Sequence, residues 1–315
     1  TPLYSSAASD VYKRQVLWKT IDTNRERESI RKAVRYYLPD RAVDQLTKSI
    51  GDFKASQQLV YGICLYTDAK EYTSLSEDMD LKGLTHFMNK YYEILFKPIK
   101  EQGGIVSDIK GDSILALWVT ERPDLASRRQ ACQAALNIAK AVDEFNRSSG
   151  SLKLPTRIGL HSGNIMFGDI GAIDHYEYRA VGDIVNTSNR IENLNKDLKT
   201  QLLVSEDVIG QLDTFLTRDL GRFLLAGKKK ALGIHELVCR VEESDERQRE
   251  LCATFSSILG TFRGRSWAEA EKRLQETIDR FGKDGPSLFY LDLCKKYRLS
   301  PPDESWDGVI TIPEK

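Results

Sequence analysis

Apolar positions follow two spacings along this chain. Short runs rich in β-branched and aromatic residues predict strands, and longer stretches with apolar residues three and four apart predict amphipathic helices. The first clear strand is 59–67 (LVYGICLYT), and a long helix is expected over about 74–100. Gly103 and Gly104 then turn the chain into IVSDIKGDSILALWV, two short strands about a tight turn. A second long helix at about 124–147 precedes a strand in LPTRIGLHSG. Beyond Tyr176 the pattern gives a short strand, a helix at 183–198, a strand at 202–204 and a hairpin at 220–241 turning near Gly227. This alternation defines an α/β (α+β) unit.

Two flanking regions read differently. Residues 16–48 are helical and heavily charged, interrupted by Pro39, and read as a connector. After Glu243 the pattern is helical alone, closing in a Pro-rich tail that ends WDGVITIPEK. The middle pair of helices resembles one tetratricopeptide-like hairpin. A solenoid needs about three such units to stand alone, so a helical cap on the α/β unit is expected.

Composition narrows the function classes. A chain of 315 residues suits about two units, and 46 basic against 46 acidic residues leave no overall field toward nucleic acid. Five scattered cysteines without a CxxC pair fit a reducing compartment, and no apolar run approaches the length of a membrane span. The stretch SSAASDVYKRQ at 5–15 resembles the translation of a sequencing-library adapter, so residues 1–15 are set aside and the natural N-terminus is expected to be missing. The expected organisation is 1–15 adapter, 16–55 linker, 56–243 catalytic domain and 244–315 helical extension.

The candidate chemistry lies in acidic residues at strand ends. Asp68 closes an apolar strand and precedes a helix, where an N-cap is the ordinary role. Asp112 sits in a hairpin turn that Gly and Asp readily adopt. Together, two such carboxylates can hold Mg²⁺, with phosphates filling the remaining positions. Asn186 and Arg190, four apart on the 183–198 helix, share one face. That face is either solvated or suited to a ribose contact beside a guanidinium that forks onto phosphate. His161 and Ser162 in GLHSG read as packing at a strand end.

Four motifs in this order, YTDAKEYTSLSE, GGIVSDIKGDSILALW, TRIGLHSGNIMFGDIG and YRAVGDIVNTSNRIENLNK, resemble the class III nucleotide cyclases, the adenylate and guanylate cyclases. The resemblance covers about 59–241 and implies a ferredoxin-like domain. It implies that Asp68, the carbonyl of Ala69 and Asp112 hold two Mg²⁺ ions, replaceable by Mn²⁺. Amides near Tyr72 and Thr73 would then meet phosphate, Asn186 the ribose, and Arg190 the transition-state charge. Lys228 would touch the terminal phosphates, although Ala226 stands where many relatives carry lysine. Active sites in this family lie at a dimer interface, with aspartates from one chain and the Asn/Arg pair from the other. This chain holds both sets, which implies a homodimer. The 23–48 segment resembles the linker of members with upstream sensor and membrane segments, implying a cytoplasmic domain in a membrane-anchored protein.

The base-reading positions depart from the family pattern. Asp108 and Arg179 stand where Lys with Asp or Thr serves adenine, and Glu with Cys or a small residue serves guanine. A carboxylate and a guanidinium can pair with either purine, or with each other. ATP is the expected substrate and GTP the alternative. The other readings are a silent cyclase-like dimerisation domain and a palm-like two-metal enzyme, the latter leaving Asn186 and Arg190 without a role.

Overall fold

The computed structural model describes residues 57–313 apart from 71, 151, 173 and 174, together with isolated helical positions at 28, 29 and 32. The adapter-like stretch and nearly all of the expected connector lie outside the described residues. The chain divides into two units. The smaller holds the described positions 28, 29 and 32, Gln57 and the described residues of Gly168–Tyr178, and there Gln57 Nε2 donates to the Asp169 carbonyl at 3.2 Å. The larger holds Gln58–Phe167 and Arg179–Lys315.

The elements run β1 (Gln57–Ala69), α1 (Tyr72–Asp78), α2 (Leu81–Glu101), β2 (Ile105–Lys110), β3 (Ser113–Thr120), α3 (Leu125–Ser148), β4 (Thr156–Ala172), β5 (His175–Val181), α4 (Asp183–Leu198) and β6 (Leu202–Ser205). There follow α5 (Glu206–Ile209), β7 (Phe215–Leu224), β8 (Leu232–Arg240), α6 (Glu246–Arg263), α7 (Trp267–Phe281), α8 (Gly285–Leu299) and β9 (Val309–Thr311). The single helix expected over 74–100 is two. Asp80 Oδ1 accepts from the amides of Lys82 and Gly83, and this cap starts α2 afresh after α1 has ended.

Among the described residues, nine strands form one sheet in the order β2-β3-β1-β4-β6-β8-β7-β9, with β5 paired to β4. Its first half, β1–α2–β2–β3–α3–β4 with spatial order β4-β1-β3-β2, is the ferredoxin-like split arrangement. One core lies between the sheet and α2 and α3, where Tyr91, Leu95 and Ile99 meet Ala131, Ala135 and Ile138 over Ile63, Ile114 and Ile158. A second core takes Ile191, Leu194 and Leu198 of α4 together with Phe223, Phe255, Phe262, Leu274 and Tyr290.

The C-terminal helices therefore share a core with α4 and β7. Buried Arg218 of β7 ties them further, pairing with Glu236 of β8 and with Asp284 at 2.8 Å. Asp284 is also the N-cap of α8, accepting from the Ser287 amide. The Pro-rich tail, for which no strand was expected, contributes β9, parallel to β7 with Phe223 opposite Ile310.

Candidate active site

Strand register brings the two acidic positions together. Tyr66 pairs with Leu115 and Thr67 with Ile114, so Asp68 comes opposite Ser113 and Ala69 opposite Asp112. Ser113 Oγ donates to Asp68 Oδ1 at 3.0 Å, and the Ala69 amide donates to Asp112 Oδ2 at 2.9 Å. Gly111 supplies the positive φ of 59° that this tight turn needs, and Tyr92 of α2 holds its carbonyl at 2.6 Å. Burial, then the neighbouring Asp68 charge, raises the Asp112 pKa above the usual carboxylate value. Two hard oxygen donors crowded in this way fit a divalent cation. Among the described residues no third His, Cys, Asp or Glu joins them, so an ion here would draw its other ligands from carbonyl, water and phosphate.

Sequence reasoning missed three residues here: Arg157, Glu192 and Lys196. Arg157 of β4 donates from its terminal nitrogen to Asp68 Oδ2 at 2.6 Å and from Nε to Glu192 of α4 at 2.7 Å. Lys196 Nζ stands 4.0 Å from the same Asp68 oxygen. Burial opposes the Arg157 charge, but Glu192 and Asp68 outweigh it and raise its pKa. Glu192 is 1% exposed, and burial pushes its carboxyl up to about 7. The contact depends on close packing of α4 on β4. A Cβ on Gly159 would fall 2.3 Å from the Glu192 amide nitrogen and 2.4 Å from the Ser188 carbonyl, and Asn195 Nδ2 donates to the Ile158 carbonyl at 3.0 Å.

Asn186 and Arg190 occupy a different face of α4. At roughly 100° per residue they stand about a third of a turn from Glu192 and Lys196, which face Asp68. Asn186 is exposed, whereas Arg190 is half-buried and packs on the turn between β7 and β8. In that turn the Lys228 amide donates to the Leu225 carbonyl at 3.0 Å and Gly227 takes φ 65°. The Lys228 ammonium, expected to meet phosphate, is held within the chain by Asp183 and by Thr187 Oγ1 at 3.0 Å. Its hydrogen bond lowers the Asp183 pKa. The structure thus brings Asp68, Ala69 and Asp112 together on one side of α4 and Arg190 with Lys228 on another.

Asp108 lies beside a β-bulge. The β2–β3 register shifts between Val106 and Asp108, and the buried Ser107 Oγ has no hydrogen-bond partner among the described residues. Asp108 accepts from the Ile109 amide at 2.9 Å and pairs with Lys110 at 3.3 Å. Arg179 is an exposed residue of β5. Thr73 lies in the first turn of α1, and its side chain is outside the described residues. His161 is buried, its Nδ1 2.8 Å from Ser205 Oγ, while Tyr61 donates to Ser162 Oγ at 2.9 Å. Both polar groups are satisfied within the fold.

Residues 57–236 match the family described as the adenylate and guanylate cyclase catalytic domain, and the chain belongs to it. It is a class III nucleotide cyclase domain. Adenylate cyclase 1 of Rhizobium meliloti is 32% identical over 178 residues, 55% of this chain and 27% of that protein. The adenylate cyclase of Anabaena cylindrica is 32% identical over 184 residues, 55% of this chain and 36% of that one. This chain therefore spans well under half the length of either relative. Among solved structures, the adenylyl cyclase CyaB from P. aeruginosa aligns with a TM-score of 0.53 at 21% identity, over 61% of this chain and 98% of that one. A bacterial light-regulated adenylyl cyclase aligns at 0.57 and 20% identity, over 77% of this chain and 69% of that one. The guanylyl cyclase Cya2 aligns at 0.52 and 22% identity, over 61% of this chain and 98% of that one. These likenesses concern the fold, which both kinds of cyclase share. Among the described residues no helix is long and apolar enough to cross a membrane.

Proposed function

We propose that this chain is the catalytic region of an adenylate cyclase, converting ATP to 3′,5′-cyclic AMP and pyrophosphate. The observation that carries the reading is the meeting of Asp68 and Asp112 at the end of β1, with Ser113 and Arg157 fixing both oxygens of Asp68. Two adenylate cyclases at 32% identity support ATP over GTP.

Asp68, Asp112 and the Ala69 carbonyl would hold two Mg²⁺ ions. Bound there, the metal supplies acidification of the ribose 3′-hydroxyl and neutralisation of triphosphate charge. Asn186 orients the ribose and Arg190 meets charge developing at the α-phosphate. Amides at the start of α1, near Thr73, face the phosphates, while Asp108 and Arg179 read the purine edge. Because Asp68 and Asp112 gather beside one face of α4 while Asn186 and Arg190 stand on another, a complete pocket takes the acidic half from one chain and the Asn186–Arg190 half from a second, in a head-to-tail homodimer. The resemblance of residues 23–48 to a linker supports a cytoplasmic domain carried by a membrane-anchored protein.

The test is a side-by-side assay of ATP and GTP turnover by the dimeric protein from Val16 onward with Mg²⁺ or Mn²⁺. Cyclic AMP in excess supports the proposal, and cyclic GMP in excess replaces it with the guanylate reading. Neither product from a verified dimer leaves a silent dimerisation domain.

A further inference from the structure

Arg190 must place a charged fork accurately, yet it is a long side chain with many rotamers on a half-buried helix face. The β7–β8 turn meets that face at two points. A Cβ on Gly227 would lie 2.9 Å from one terminal nitrogen of Arg190, so the guanidinium rests against the bare backbone of the turn. One residue on, Lys228 reaches Asp183 and Thr187, about two turns and one turn of α4 before Arg190. The turn is itself anchored: Leu225 is buried, and Phe223 and Ile234 on the adjoining strands enter the second core.

We propose that this turn positions Arg190, with Gly227 as the seat of the guanidinium and Lys228 as the strut that fixes the turn to α4. The inference rests on the reading of Arg190 as a catalytic group contributed across a dimer interface. Gly227 is then a positioning residue for two reasons. Its φ of 65° favours glycine, and any Cβ there occupies space next to the guanidinium. The clash falls on the far end of a flexible side chain, so the fold can absorb it by moving Arg190 away. A displacement of about 1 Å in a catalytic group costs on the order of a hundredfold in rate. None of the groups found around Asp68 (Ser113, Arg157 and Lys196) belongs to this turn, so the damage is confined to one half of the pocket.

The experiment compares Gly227→Ala, Gly227→Asn and Lys228→Met in the dimeric protein by kcat, KM for ATP and pairwise mixing. Asn is included because it tolerates a positive φ while still carrying a Cβ. The expected result is a kcat loss on the order of a hundredfold for both Gly227 variants with KM little changed, and a smaller loss for Lys228→Met. Mixing Gly227→Ala with Asp68→Ala should restore turnover through hybrid dimers, whereas mixing it with Arg190→Ala should not. Both Gly227 variants retaining more than about half the parental kcat overturns the inference. So does failure of the Asp68→Ala mixture where Arg190→Ala mixed with Asp68→Ala succeeds, since the damage would then be general. If that reference mixture is itself inactive, the shared-pocket reading fails, and the kcat of the Gly227 variants alone decides the role of the turn.

Discussion

Asp112 accepts the amide hydrogen of Ala69, the residue that follows Asp68, at 2.9 Å. This bond from backbone amide to side-chain carboxylate across the β1–β3 end sets the two carboxylates side by side. Burial, with the nearby Asp68 charge adding to it, raises the Asp112 pKa. Asp112→Asn should therefore remove a repulsion as well as a proposed ligand. Turnover is expected to fall by about a thousandfold or more, while thermal stability holds or rises slightly. Steady-state assays alongside melting curves check both parts, and a large drop in melting temperature would contradict the electrostatic account.

Glu192 anchors Arg157, which otherwise has Asp68 as its carboxylate partner. Above about pH 7, where Glu192 is ionised, Glu192→Gln keeps the shape and an acceptor but removes the charge, leaving the guanidinium to bear more strongly on Asp68. The half-saturating Mg²⁺ concentration should rise by about tenfold, the lower end of the cost of a lost supporting partner. Direct Mn²⁺ binding followed by electron paramagnetic resonance should weaken in parallel. Unchanged metal dependence would separate this pair from the site.

His161 is held neutral by burial, its pKa pushed down from 6.5 to about 4. The unfolded chain binds that proton more readily, so stability is full above about pH 6.5 and is lost as pH falls toward 4. The loss amounts to about 3 kcal/mol. Urea unfolding across this window should show a shallower pH slope for His161→Gln than for the parent, and equal slopes would exonerate the histidine.

Arg218 is 4% exposed between Glu236 and Asp284. Arg218→Ala leaves two largely buried carboxylates without their cation, which costs about 3–5 kcal/mol. Because Asp284 caps α8, the C-terminal helices should loosen first, visible as faster amide exchange in α8 than in α2.

The closeness of Asp68 and Asp112 in the candidate site was legible because both lie at strand ends whose apolar runs stand out. The helix bearing Asn186 and Arg190 was found at its observed bounds, 183–198. Arg157 and Glu192 escaped because each is a single charge inside an apolar pattern, and such charges are usually read as solvated. A signal existed, since Glu192 and Asn195 fall among Ile191, Leu194 and Leu198, where polar groups must find internal partners. The helix break before Asp80 was hidden because apolar spacing continues across it, whereas the cap is a local backbone matter. Strand β9 was missed since three residues, Val309 to Thr311, are too short for periodicity; pairing with β7 defines them.

The two-sided use of α4 has a genetic corollary. If each pocket borrows one side from either subunit, a chain crippled on both sides, Asp68→Ala with Arg190→Ala, spoils every pocket it joins. Expressed beside the intact chain it should behave as a dominant inhibitor, with output following the square of the intact fraction.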